Sequence, residues 1–163
     1  MGDYMIEEYK DEYLDEVKDL LVELEEYIVS IDKDGLDKVH PDYRDKMAII
    51  DLDKVKKQNG KCYIYKENNE VLGLIMGIIT EYDEYDYLDY KCPKRGEIIE
   101  LIVTNKTRSK GIGHELISTM ENYFKECGCE YVIVDVFAYN DIGNNFYNKN
   151  NYHSRMNTMI KKI

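Results

Sequence analysis

A strand that closes on a glycine-rich turn, runs at once into an amphipathic helix and is followed by a second apolar strand constrains this chain more than any other feature. Gly96 to Thr104 reads as the first strand, and Asn105 to Gly113 as a Gly/Lys/Arg turn. Gly113 to Cys127 reads as a helix with Leu116, Ile117, Met120, Tyr123 and Phe124 on its apolar side, and Tyr131 to Ala138 as a strand rich in Val and Ile. A helix between two apolar strands implies a βαβ unit with parallel strands. Upstream, Lys61 to Lys66 and Val71 to Thr80 flank the turn Glu67-Asn68-Asn69-Glu70 and read as a hairpin. A hairpin beside a parallel pair makes a mixed sheet, hence an α/β or α+β fold.

The remaining segments fill in around that sheet. Residues 4–9 are expected to form a short strand. Leu14, Val17, Leu21, Leu24, Ile28 and Ile31 recur at three- and four-residue steps with Asp and Glu between them, the pattern of an amphipathic helix that Asp34-Gly35 ends. Residues 41–58 predict a second, less regular helix, 81–95 an acidic tyrosine-rich loop, Asp141 to Asn150 a short helix, and Tyr152 to Ile163 a closing strand. With 163 residues, no internal repeat and no Pro/Gly/Ser-rich linker, one domain over 1–163 is expected.

Charge narrows the function. A formal net charge of −11 argues against sequence-independent nucleic-acid binding, which needs Lys and Arg to neutralise phosphates. It favours cationic partners through long-range attraction, although solubility alone also accounts for it. Cys62, Cys92, Cys127 and Cys129 have no metal-ligand spacing and read as reduced thiols of a cytoplasmic protein. Nothing in the sequence gathers His40, His114 and His153, and no metal is expected. The acidic start Met1-Gly2-Asp3-Tyr4 gives no sign of a signal peptide, and the longest apolar run, Val71 to Ile79, is too short to cross a bilayer.

The run Leu101-Ile102-Val103-Thr-Asn-Lys-Thr-Arg108-Ser109-Lys110-Gly111-Ile112-Gly113-His114 is the most informative. The first turn of a helix presents amides with no internal partner, its dipole adds positive charge, and glycines let the backbone approach a ligand. Together they suit a pyrophosphate. Three readings compete. A dinucleotide fingerprint needs a third glycine where Leu116 stands, the triphosphate P-loop pattern is absent, and an ordinary strand–helix turn has the same outline.

Arg108-Ser109-Lys110-Gly111-Ile112-Gly113 resembles the R/Q-x-x-G-x-G/A motif of the GCN5-related N-acetyltransferases (GNAT), and Leu101-Ile102-Val103 resembles the L-x-V of that family's fourth strand. A second block, Val134 to Asn140 followed by Phe146-Tyr147 and Tyr152, resembles the pattern that closes such domains, with Gly143 for the usual Ala and Asn151-Tyr152 for the usual Gly-Phe. The resemblance covers about residues 96–152. It implies a mostly antiparallel sheet with one splayed parallel pair, helices on both faces, and acetyl-CoA as co-substrate.

It also implies roles. Leu101, Ile102 and Val103 would hold the acetyl-pantetheine arm, with one backbone N–H polarising the carbonyl. Arg108, Ser109, Lys110, Gly111, Ile112, Gly113 and His114 would cradle the pyrophosphate, and Asn140 would contact the arm. Tyr147 would be the general acid near the sulfur. Glu97, four residues before Leu101, is the first choice for general base, because regular two-residue alternation puts it on the face of Leu101 and sends the rival Glu100 to the other. The acceptor is expected to be a small cationic amine, polyamine or aminoglycoside-like, with Tyr27, Asp32, Glu81, Tyr82 and Asp83 as candidate walls. A peptide or protein amine, or a non-catalytic acyl-CoA sensor on the same fold, are the alternatives. Many relatives pair into dimers, which leaves a homodimer open; the sequence itself does not give the oligomeric state.

Overall fold

In the computed structural model, which describes residues 4–107 and 110–163, five strands form one sheet in the order β1-β2-β3-β4-β5. These are β1 (Tyr4–Glu8), β2 (Lys61–Glu67), β3 (Glu70–Thr80), β4 (Arg95–Val103) and β5 (Tyr131–Val134). The first four pair antiparallel; β4 and β5 run parallel. The helices are α1 (Leu14–Ile31), α2 (Tyr43–Lys57), α3 (Asp86–Asp89), α4 (Ile112–Glu126) and α5 (Asp141–Lys149). Among the described residues no helix is long and apolar enough to cross a membrane.

β3 is apolar on both faces because both are covered. Ile64, Leu74, Met76, Ile78 and Ile102 face α1 and α2, where Val17, Leu20, Leu21, Ala48 and Val55 complete one core. Tyr65, Leu72, Ile75 and Ile98 face α4 and its Ile112, Leu116, Ile117, Met120 and Phe124. The approach of α4 is close enough to demand glycine in the sheet. A Cβ at Gly96 would lie 2.5 Å from the Phe124 ring, and one at Gly77 would lie 2.7 Å from Met120 Sδ. Each flat glycine thus exchanges its own side chain for a large buried neighbour.

Three segments depart from the sequence expectation. The loop 81–95 holds the single turn α3, whose start is fixed by Asp83 Oδ1 accepting from the amides of Tyr85 and Asp86. The last strand stops at Val134 rather than Ala138. The closing strand expected over Tyr152 to Ile163 does not form: residues 153–163 have no regular structure, and Met156 and Met159 are 85% and 90% exposed. The apolar residues of that tail, Met156, Met159, Ile160 and Ile163, are spaced three, one and three apart. No two-residue alternation offers a pleated ladder one buried face there.

Candidate active site

The site begins where β4 stops being regular. β3 and β4 pair through Ile78↔Glu97 and Gly77↔Ile98, then resume at Met76↔Glu100, leaving Ile99 as an extra residue. Such a bulge bends its strand and re-aims the side chains beyond it. Here it also coincides with the end of the parallel ladder, since β5 pairs with β4 only from Arg95↔Tyr131 to Ile98↔Val134. From Ile99 to Val103 the β5-side edge of β4 has no strand partner among the described residues, so Leu101, Ile102 and Val103 lie along an uncovered edge, a wedge beyond the last β4–β5 pair. Backbone amides and carbonyls in that wedge are open to an extended ligand.

The bulge corrects the face assignment of the two glutamates. Glu97 lies opposite Ile78 and Glu100 opposite Met76, both residues of the α1/α2 core, whereas Leu101 lies opposite Ile75 on the α4 side. Glu97 and Glu100 therefore share a face, and Leu101 is on the other. Strict alternation fails by one residue at Ile99.

At the far end of the wedge α4 opens on Gly111, whose φ of +86° is left-handed and strains any L side chain. A Cβ there would meet nothing within 4 Å, so the reason for glycine is backbone geometry rather than crowding. No side chain caps the helix, and its first internal bond is Glu115 N–H to Gly111 O. The amides of Ile112, Gly113 and His114 are the uncapped donors of a helix N-terminus. These features fit the pyrophosphate of coenzyme A. Lys110 stands beside them, 3.5 Å from Glu67, and His114 Nδ1 lies 2.7 Å from Asn150 Oδ1. Gly113 lets the Phe146 ring of α5 come within 3.1 Å of where a Cβ would be. Arg108 and Ser109, both expected in this loop, lie outside the described residues.

Between the wedge and α2 sits a group of carboxylates. Burial, then the charges of Asp51 and Glu25, push Glu100 up to about 8. Asp51 is pushed up to about 6, again chiefly by burial, and Lys54 offsets part of that. Glu25 is raised by burial and by Asp37. Tyr43 is raised by burial and by Glu25, Glu100 and Asp51 in turn. Tyr147, on α5, is raised by burial and then by Glu100. Its ring packs edge-on against Phe146 and Tyr152, at centroid distances of 5.2 and 5.5 Å. A carboxyl pushed up to about 8 whose charge acts on a buried phenol is a combination of the kind proton-transfer chemistry uses.

Asp51 and Glu25 were not singled out from the sequence, yet a signal was present. Asp51 stands in the stripe Ala48–Asp51–Val55, the buried face of α2, and Glu25 lies one turn beyond the buried Leu21 of α1. A carboxylate in an apolar stripe is an exception that needs a reason.

The other expected residues distribute differently. Glu97 accepts from Thr80 Oγ1 at 3.0 Å and, with Glu81, Lys54, Lys57 and Gln58, lines a neighbouring pocket. Tyr82 is a pin of its own loop, donating to Pro93 O at 2.7 Å with its ring beneath Arg95, and Asp83 holds the start of α3. Asp32 accepts from the amides of Asp34, Leu36 and Asp37, which fixes the turn after α1 and holds its carboxyl below the usual range. Tyr82, Asp83 and Asp32 thus have loop-building partners where acceptor contacts were expected. Asn140 caps α5: its Oδ1 accepts from Gly143 N–H at 2.8 Å and from the Tyr27 hydroxyl at 3.1 Å, tying α5 to α1.

The family model described as the acetyltransferase (GNAT) family matches residues 5–152. A curated relative, an uncharacterized N-acetyltransferase of Methanocaldococcus jannaschii, is 31% identical over 94 residues; the match covers 57% of this chain and 53%, about half, of that protein. Among solved structures, a putative acetyl transferase from Pyrococcus furiosus superposes with a TM-score of 0.71 at 24% identity, covering 99% of this chain and 100% of that one. An aminoglycoside N-acetyltransferase in complex with CoA gives 0.72 at 12% identity, over 100% and 96%. At those identities the likeness is one of fold, the mixed sheet with its single parallel pair. With a family match across nearly the whole chain, and with a parallel ladder that stops at Ile98 and a helix that opens on a left-handed glycine, the chain belongs to the acetyltransferase (GNAT) family.

Proposed function

We propose that this protein transfers an acetyl group from acetyl-CoA to the primary amine of a small cationic acceptor, by direct attack in a ternary complex. Acetyl-CoA supplies an activated acetyl group and a thiol leaving group. On this reading the amides of Ile112, Gly113 and His114, with Arg108, Ser109 and Lys110, hold the pyrophosphate, and the open edge of Leu101 to Val103 orients the arm.

Glu100 takes the role of general base in preference to Glu97. An alkylammonium has a pKa of about 10.4 in water, so a carboxylate near 4.5 would be a poor acceptor for its proton. Glu100, pushed up to about 8, is far better matched. Tyr147 keeps its proton because of burial and the charge of Glu100. Once Glu100 is protonated that charge is gone, and the Tyr147 hydroxyl becomes a better donor. The two groups are thus coupled so that proton uptake at the carboxylate precedes proton delivery from the phenol.

The observation that carries this reading is the β4 bulge, which turns Glu100 towards α2 at the residue where β4 and β5 separate. The acidic surroundings of Glu100 support a cationic acceptor, and aminoglycoside acetyltransferases among the structural relatives are consistent with one. Thiol release from acetyl-CoA across a panel of amines tests it. Transfer to at least one small amine is expected; tight coenzyme A binding with no thiol release from any amine or basic peptide would leave only an acyl-CoA sensor.

A further inference from the structure

The turn between β4 and α4 is tied to two carboxylates on other elements. At its start Thr104 is 5% exposed, and its amide still follows the sheet, donating to Leu72 O at 2.9 Å. The Thr104 hydroxyl donates to Glu23 Oε2 at 3.0 Å, and the next amide, Asn105 N–H, donates to Glu23 Oε1 at 2.7 Å. Thr107 N–H then closes a turn on Thr104 O at 3.1 Å. Towards its end Lys110 pairs with Glu67 of β2 at 3.5 Å, just before the left-handed Gly111. Glu23 reaches the turn from the middle of α1, 81 residues before Thr104. The ion pairs of α1 involve Asp15, Lys18 and Asp19, so both oxygens of Glu23 serve the two residues that follow β4. One turn further along α1, Tyr27 donates to Asn140 Oδ1 at 3.1 Å, where Asn140 caps α5. Positions four apart share a helix face. One face of α1 thus holds the chain where it leaves β4 and where it enters α5.

We propose that Glu23 is a positioning residue for acetyl-CoA: it locks the root of the diphosphate loop to α1, so that the loop presents its N–H groups from a fixed starting point before the coenzyme arrives. This rests on the acetyl-transfer reading above. A carboxylate at the root of a loop that is to hold a diphosphate opposes that ligand by charge, so its use there calls for a positional reason. Hydrogen bonds to a charged acceptor are stronger than neutral ones, and two of them fix both the place and the tilt of a short segment. Ordering the loop in the free protein removes an entropic cost that binding would otherwise carry. The clamp touches neither the reacting atoms nor the acceptor, so its effect falls on affinity for a ligand that bears the diphosphate. It does not need the charge itself. A glutamine can accept from Asn105 N–H with its carbonyl and donate to Thr104 Oγ1 with its amide, because a hydroxyl both donates and accepts. Charge and clamp therefore make opposite forecasts. Losing the charge alone favours an anionic ligand, whereas losing the clamp disfavours it.

Coenzyme A is titrated into the full chain by calorimetry at physiological salt, and hydrogen exchange of the Asn105 amide is followed by NMR in the free protein. Glu23→Ala should weaken coenzyme A binding about tenfold and release Asn105 N–H to exchange. Glu23→Gln should keep that amide protected and bind coenzyme A within about threefold of wild type. Thr104→Val keeps the shape of the buried side chain and removes one of the two bonds; it should weaken coenzyme A about threefold alone and add nothing to Glu23→Ala. Glu16→Gln removes a charge from the cleft that Glu23 also lines, and should not weaken coenzyme A. In thiol-release assays Glu23→Ala should raise the KM for acetyl-CoA by the same factor. S-acetylpantetheine, which lacks the diphosphate, should be used with unchanged kcat/KM. Coenzyme A bound as tightly or more tightly by Glu23→Ala, an equal loss in Glu23→Gln, or an equal loss with S-acetylpantetheine would each overturn the proposal. Failure of the wild type itself to bind coenzyme A, with Asn105 protected, would remove the acetyl-transfer reading and this proposal with it.

Discussion

Replacing Glu100 by Gln should make this protein more stable and far less active. In the folded chain the carboxyl is pushed from 4.5 up to about 8, so the native state holds a proton that the unfolded state has released. Between those two values the folded form binds more protons, and stability must fall as pH rises. The full penalty is present at and above pH 8 and absent below about 4.5. At about 1.4 kcal/mol per unit, a displacement of 3.5 units has a ceiling of about 5 kcal/mol. Glu100 keeps a partly open face, so screening and relaxation leave ~2 kcal/mol as the working figure. For a chain of this length that corresponds to a gain of roughly 5 °C in melting temperature. Gln cannot ionise, so the gain should be largest at pH 8.5 and nearly nil at pH 5. Turnover should fall by about 100-fold or more, the usual size of a lost general base. Calorimetric melts at the two pH values, with thiol release on the same samples, give both readings. A melting temperature that drops at pH 8.5, or turnover within threefold of wild type, would refute the argument that burial at the bulge makes Glu100 a base.

Three further outcomes are expected. Tyr147→Phe should lower kcat at least about tenfold with little change in acetyl-CoA affinity, because the ring still packs on Phe146 and Tyr152 while the proton donor is gone; steady-state kinetics with both substrates varied checks this. Gly111→Asp should abolish coenzyme A binding by calorimetry, since it adds a negative charge where the diphosphate is expected and about 1–2 kcal/mol of left-handed strain at φ +86°. Glu97→Gln should leave turnover within a few-fold of wild type, because Glu97 bonds Thr80 and lines the neighbouring pocket rather than the cluster around Glu100.

Most of the scaffold was legible in the sequence because its signals are local. The 3.6-residue recurrence through Leu14, Val17 and Leu21 gives α1, and the apolar strand running into Gly111-Ile-Gly113 gives β4 and the start of α4, where the anion site is proposed. The faces of Glu97 and Glu100 were not legible for one reason: a single extra residue, Ile99, inverts the alternation that was used to place them. Bulges leave no reliable mark in composition, since Ile98-Ile99-Glu100 reads equally well as unbroken strand. Asp32, Tyr82 and Asp83 illustrate a different limit. Acidic and aromatic residues in loops look like ligand contacts in sequence, and in the fold they turn out to satisfy the amides and carbonyls of their own turns. Asp51 shows the converse, because a polar residue in an apolar helix stripe was readable from the sequence, and the fold does bury it. The tail after Tyr152 lacked a partner face, and strand propensity alone could not supply one.

A crystal structure of the full chain with coenzyme A tests the central claim most directly. The account predicts the diphosphate on the amides of Ile112, Gly113 and His114, and the sulfur in the wedge between β4 and β5, within reach of the Tyr147 hydroxyl and with Glu100 on the adjoining wall. A diphosphate bound away from the start of α4, or a sulfur outside the wedge and out of reach of the Tyr147 hydroxyl, would contradict it.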